Sequence, residues 1–169
     1  IANFLNSPST GNDPYGARYS GIQRANIVLR YIDQIPASGI TEEDRSMIKG
    51  EALFLRGYQY FLLVNNYKEV PLRLIPSNED ETNKAAATEA ALWAQVEEDL
   101  DNAIKCNLPV ERSTAKERIT KGAAIAMLGK VYATQHKYPE AKQLLGTLLK
   151  APYSYELMDN FEKNFTNEE

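Results

Sequence analysis

Four carboxylates crowd one short stretch of the chain, Glu97, Glu98, Asp99 and Asp101. Such a cluster could hold a metal ion or supply the acid and base of a glycosidase. Their spacing argues against both, because successive helical residues point around the axis and do not converge, so the group reads as a solvated face. His136, the sole histidine, has no serine, cysteine or second histidine at a suggestive spacing and reads as a residue near a helix C-terminus. Cys106 stands alone, which excludes an intrachain disulfide. With no glycine-rich phosphate loop and no Cys/His ligand spacing, the sequence predicts no catalytic residue, no metal and no cofactor. One group does have ligand-binding chemistry. Asn12, Asp13 and Tyr15, with Tyr19 beyond, place aromatic faces beside amide and carboxylate acceptors. A sugar ring asks for that combination, since its CH groups stack and its hydroxyls hydrogen-bond. A purely structural turn is the competing reading.

The elements that must position these residues are helical. Asn6 to Gly16 gathers Gly, Pro, Asn, Asp and Ser and predicts a loop, with residues 1–18 taken as an N-terminal loop region. A first helix is expected over Tyr19 to Ile35, stopped by Pro36 and Gly39. Thr41 followed by three acids predicts a capped start for a second helix running to about Tyr67. From Ile48 to Tyr67 its apolar residues surround the axis, so this helix requires neighbours on several sides. Val70 to Pro76 reads as extended because each proline disfavours the helical region for the residue before it. It leads into a solvated loop, and a third helix is expected over Thr88 to Cys106. The fourth is expected over Glu117 to His136 and the fifth over Pro139 to Lys150. No β-sheet is predicted.

Composition is consistent with one folded domain. The 169 residues are 43% hydrophobic and 25% charged, with 19 basic against 23 acidic residues and a net charge of −4. That is ordinary globular usage, and the absence of a basic block makes a nucleic-acid partner a poor match. No apolar run approaches the roughly 20 residues needed to span a bilayer. Ile1 to Asn6 shows neither a basic nor a long apolar segment of a signal peptide. Both ends read as cut, and the expectation is one helical repeat domain over residues 1–169, part of a longer chain.

An internal repeat organises the helices. At a shift of 72 residues, Lys49-Gly50, Ala52, Gly57 and Tyr60 coincide with Lys121-Gly122, Ala124, Gly129 and Tyr132. The shift is twice the tetratricopeptide period of about 34 residues plus a small excess. The later copy also carries Leu128 and Ala141 at positions of that template. Gly129 and Ala141 are small enough for two helices to approach, while Tyr132 and Leu145 fill the remaining space. In the earlier unit the partner helix holds Val96, Leu100 and Ala103, and residues 68–88 form an insertion between the two helices. A loop of that length inside a two-helix unit is often functional. The fold class expected is therefore all-α, a tetratricopeptide-like bundle of about five main helices with one long loop.

Six ordered blocks carry a family resemblance. They are Arg24-Ala25-Asn26; Gly50 to Val64 with its Leu-Arg-Gly-Tyr core; Tyr67 with Val70-Pro71-Leu72; Leu92-Trp93 with Val96, Asp99, Leu100 and Ala103; Arg118 to Tyr132; and Tyr138 with Ala141, followed by Tyr155, Leu157, Phe161 and Phe165. Together they resemble the SusD/RagB family of Bacteroidetes outer-membrane lipoproteins. Lys68, where the family usually has Gly, and Gly57, where Ala is commoner, depart from the pattern.

The resemblance implies a non-enzymatic cell-surface nutrient-binding protein, lipid-anchored upstream of Ile1 and capping a SusC-like TonB-dependent transporter. It implies an oligosaccharide ligand or, in some branches, a peptide. It also implies that much of the binding platform lies C-terminal to the repeats, and that Asp99 could hold a helix end or a loop amide. Two other classes stay open from the residues alone. A generic tetratricopeptide adaptor would need a clamp of Lys, Arg and Asn on its inner helices, whereas a glycoside hydrolase has only the abundant acids in its favour.

Overall fold

The computed structural model describes residues 13–80, 82–153, 155–156 and 159–162. The candidate Asn12 and the family positions Leu157 and Phe165 lie outside these residues. Five helices follow one another: α1 (Pro14–Tyr31), α2 (Glu42–Tyr67), α3 (Glu89–Lys105), α4 (Lys121–Thr134) and α5 (Tyr138–Leu145). Short 3-10 turns follow α1 and α5, at Ile32–Gln34 and Gly146–Leu149. The expected all-α, tetratricopeptide-like architecture is the one observed.

Local chemistry accounts for most helix starts. The side chains of Thr41, Thr88 and Thr120 each accept the amide three residues on, at 3.1, 3.3 and 3.2 Å, which satisfies donors that the first turn leaves unpaired. Several boundaries differ from the sequence expectation, the end of α1 among them, which tightens to 3-10 geometry after Tyr31 and short of the expected Ile35. The N-terminal region is not a loop as far as residue 18: Asp13 caps α1, Pro14 opens it, and Gly16 sits inside the first turn. Helix α4 begins at Lys121 and not near Glu117, because Thr120 is its cap and Arg118 still belongs to a turn closed on the Ala115 carbonyl. The fifth segment tightens to 3-10 geometry after Leu145. A two-residue ladder, absent from the sequence expectation, joins β1 (Val70–Pro71) to β2 (Ala86–Ala87), with Val70 opposite Ala87 and Pro71 opposite Ala86. It closes the inserted loop at its base.

Helix α2 lies between α1 and α3, α3 packs on α4, and α4 on α5. Tyr60, Leu63, Val64, Leu92, Val96 and Leu100 are fully buried where α2 meets α3. Leu55, 45% exposed, marks the side of α2 that faces solvent.

The two repeat units use equivalent close contacts. A Cβ on Gly57 would lie 3.1 Å from Asp99 Cβ and 3.2 Å from Leu100 Cγ, and one on Gly129 would lie 2.5 Å from Leu145 Cγ. Leu100 and Leu145 therefore occupy matching positions opposite matching glycines. Ala52, Ala124, Leu128 and Ala141 are buried at these helix contacts. Tyr132 is only half-buried, with the Lys137 ammonium 5.8 Å above its ring. No described helix is long and apolar enough to cross a membrane.

Candidate functional site

An arginine that follows the apolar run Ala52 to Leu55 and turns into the core has to find a partner, because a buried unpaired charge is costly. Arg56, 8% exposed, finds Asp99, 1% exposed. Its Nε donates to Asp99 Oδ2 at 2.8 Å and its Nη2 to Oδ1 at 2.7 Å, the two-point geometry that suits a guanidinium and a carboxylate. Gln95 Nε2 adds a third donor to Asp99 Oδ1 at 3.0 Å, and Arg56 Nη1 donates to Asn26 Oδ1 at 3.0 Å. Residues of α1, α2 and α3 thus share one buried polar network.

That network holds the inserted loop by its backbone. Asn26 Nδ2 donates to the carbonyls of Arg73 and Ile75, both at 3.1 Å, and Arg56 Nη1 reaches the Leu74 carbonyl at 3.4 Å. Tyr60 donates to the Arg73 carbonyl at 2.9 Å and accepts the Arg73 amide at 2.7 Å. Tyr19 donates to the Pro71 carbonyl at 2.6 Å. Burial raises the phenol pKa values of both Tyr19 and Tyr60, so both hydroxyls keep their protons as donors. Further along, the Ser77 amide donates to Gln23 Oε1 at 2.8 Å. Glu79 accepts from Arg30 Nε at 2.9 Å and from the Tyr31 hydroxyl at 3.0 Å, and these bonds lower its pKa. Asp80, its side chain 3% exposed, pairs with Arg73 and Lys84. Backbone groups of Pro71, Arg73, Leu74 and Ile75 are therefore spent inward, while Ser77, Asn78, Thr82 and Asn83 stay exposed on the outer edge.

The sequence candidates lie beside the root of this loop. Asp13 acts as the α1 cap, its carboxylate accepting the Tyr15 amide at 3.1 Å. The Tyr15 ring packs against Tyr19 at 5.0 Å and edge-on against Tyr67 at 5.1 Å. Tyr15 is thus one of three clustered tyrosines, one of which bonds the first residues of the loop.

The acidic stretch divides in a way its spacing did not reveal. Asp99 does not lie on a solvated face; it turns into the core toward Arg56, and it holds that side chain and Gln95 in place of a helix end or loop amide. Glu97 accepts from Gln135 and Lys137 on its Oε1 at 2.6 and 2.5 Å, and Asp101 pairs with Lys105. His136 follows α4 with φ of 61°, and its Nδ1 lies 2.7 Å from the Tyr138 hydroxyl. Sequence reasoning missed the role of Arg56 although one signal was present, a lone basic residue amid the apolar residues of α2. The arrangement orders a loop, and with both oxygens of Asp99 taken by donors it offers no acid or base there.

Comparison with known proteins agrees with this fold. Residues 5–133 match a SusD-like family model described as starch-binding and associating with the outer membrane. A SusD superfamily protein from Bacteroides vulgatus superposes with a TM-score of 0.81 at 32% identity, over 90% of this chain and 32% of its own. A laminarin-binding SusD-like protein does so with the same TM-score at 33% identity, over 90% of this chain and 34% of its own. A surface glycan-binding protein A from Bacteroides uniformis shares the fold, with a TM-score of 0.79 at 24% identity over 96% of this chain and 36% of its own. No curated protein sequence matches. The chain spans about a third of the length of the solved structures it matches. With the family match covering most of its length, the chain belongs to the SusD-like family.

Proposed function

We propose that the protein to which this chain belongs captures oligosaccharides at the bacterial outer-membrane surface, without catalysing a reaction, and passes them to a SusC-like TonB-dependent transporter. The observation that carries the reading is the likeness, at 33% identity over 90% of this chain, to a protein that binds laminarin. The geometry supports it: the loop after Pro71 is immobilised from within by Asn26, Arg56 and Tyr60, and preorganised polar edges lose little entropy when they bind. Asp13 and Tyr15, beside the root of that loop, would contribute at its rim. Anchoring to the membrane would come from a lipid attached upstream of Ile1.

A peptide ligand is the alternative within the same family. A generic tetratricopeptide adaptor is less well supported, because the buried basic residue of α2, Arg56, is committed to Asp99 and Asn26 and is not free to clamp a peptide carboxylate. The test uses the full-length parent protein, purified from detergent-solubilised outer membranes and run on gels containing laminarin or starch. Retardation in the gel together with a large TonB-dependent barrel in near-equal amount is the expected result. Migration unaffected by either glycan, with only soluble proteins recovered, would overturn the reading.

A further inference from the structure

Away from the inserted loop, a groove of about 580 Å³ opens between α3 and the turn that joins α4 to α5, lined by Glu89, Trp93, Glu97, Gln135 and Lys137. Its size falls within the range of about 300–1,000 Å³ usual for small-molecule sites. Trp93 is half-buried and braced edge-on by Phe61, with ring centroids 6.0 Å apart at 67°, and its Nε1 donates to Glu89 Oε1 at 3.2 Å. Ala90 and Ala94, both exposed, flank it on the same helix and are too small to cover an indole. The indole is thereby fixed in orientation, which a stacking platform requires.

The polar groups around it are preset and balanced. Gln135 Nε2 and Lys137 Nζ both meet Glu97 at the same oxygen, Oε1, so Oε2 keeps acceptor capacity. Lys68 pairs with Glu89 at 2.9 Å as Lys137 pairs with Glu97. Each acid of the groove thus has a base beside it, so neither carboxylate calls for a cationic ligand, and a neutral polyhydroxylated one meets both donors and acceptors there. We propose that this groove is a saccharide subsite for one or two pyranose units of a neutral glycan. The ring stacks on Trp93, and hydroxyls bond to Glu97 Oε2, Gln135 and Lys137. The choice of a glycan rests on the capture function proposed above; the location does not.

Trp93 is the sole tryptophan of the chain, so its emission reports on this groove alone. The chain would be titrated with laminarin oligosaccharides and with malto-oligosaccharides, and its retardation measured in gels containing each polysaccharide. A saturable change in emission is expected with at least one series. Trp93→Ala should weaken retention by about tenfold, the scale of an aromatic hot spot. Gln135→Ala, which leaves the core untouched, should weaken it by about threefold and guards against misfolding of the first variant. Retention that both variants preserve, with unchanged Trp93 emission, overturns the subsite and leaves the capture reading standing. No response to either series by this chain, its helical fold first checked by circular dichroism, also overturns the subsite. Only failure of the full-length parent to be retarded overturns the capture reading.

Discussion

Arg56 of α2 and Asp99 of α3 meet as a two-point ion pair inside the helical core, with N–O distances of 2.8 and 2.7 Å. The pair lies where the Gly57 backbone comes close enough to α3 that an added Cβ would sit 3.1 Å from Asp99 Cβ. The same residue that allows the close approach is adjacent in sequence to the one that makes the pair. Through Asn26 and the Leu74 carbonyl, the pair extends to the inserted loop.

Removing one partner should therefore be severe. Asp99→Ala would strand a buried guanidinium and is expected to lower stability by about 3–5 kcal/mol in urea unfolding. The double variant Arg56→Met with Asp99→Leu should recover part of that loss, because it removes both charges together. A single variant within about 0.5 kcal/mol of wild type would show that the pair is not desolvated as described.

Tyr60→Phe tests how the loop is held. The hydroxyl both donates to and accepts from the Arg73 backbone; its loss leaves the Arg73 amide without that acceptor, while the Arg73 carbonyl keeps Asn26, at a cost of about 1–3 kcal/mol. Hydrogen exchange at the Arg73 amide should accelerate, with little change at amides of α4. Uniform acceleration across the chain would point to a global effect and not to release of the loop.

The repeat contact is tested at Gly129. Leucine there would collide with Leu145 and force α4 from α5, costing about 1–3 kcal/mol by overpacking. Gly57→Leu, at the matching position, should lower the melting temperature in the same direction. An unchanged melting temperature for Gly129→Leu would count against the packing role.

Acid should loosen the link between α1 and the loop. Bonds from Arg30 and Tyr31 hold Glu79 below the ordinary glutamate value of 4.5. A carboxylate whose pKa is depressed on folding adds stability that is complete above its unfolded value and lost as pH falls through the folded one. The stability difference between wild type and Glu79→Gln should accordingly be present at pH 7 and shrink as pH drops below about 4.5. A difference constant across that range would mean that ionisation of Glu79 contributes nothing.

The sequence by itself determined what neighbouring residues settle among themselves. Thr41, Thr88 and Thr120 are cap residues because each side chain bonds an amide three positions away, and Pro36 with Gly39 ends the α1 segment for equally local reasons. The repeat was legible too, since Gly57 and Gly129 recur at one spacing within similar helices. Asp13-Pro14 carried a cap and first-turn signal of the same local kind, masked by the glycines and proline around it. Only the tertiary structure decided which acid of the Glu97 to Asp101 stretch is buried. Helical spacing places Asp99 within a run of charged residues, and the partner that makes its burial tolerable lies 43 residues away on another helix. The inserted loop is the same case: its own residues make few regular hydrogen bonds, and its course follows the positions of Tyr19, Asn26, Arg56 and Tyr60, which the packing of α1 and α2 brings together. The Trp93 groove likewise exists only because α3 meets the α4–α5 turn, where Gln135 and Lys137 come within hydrogen-bonding reach of Glu97.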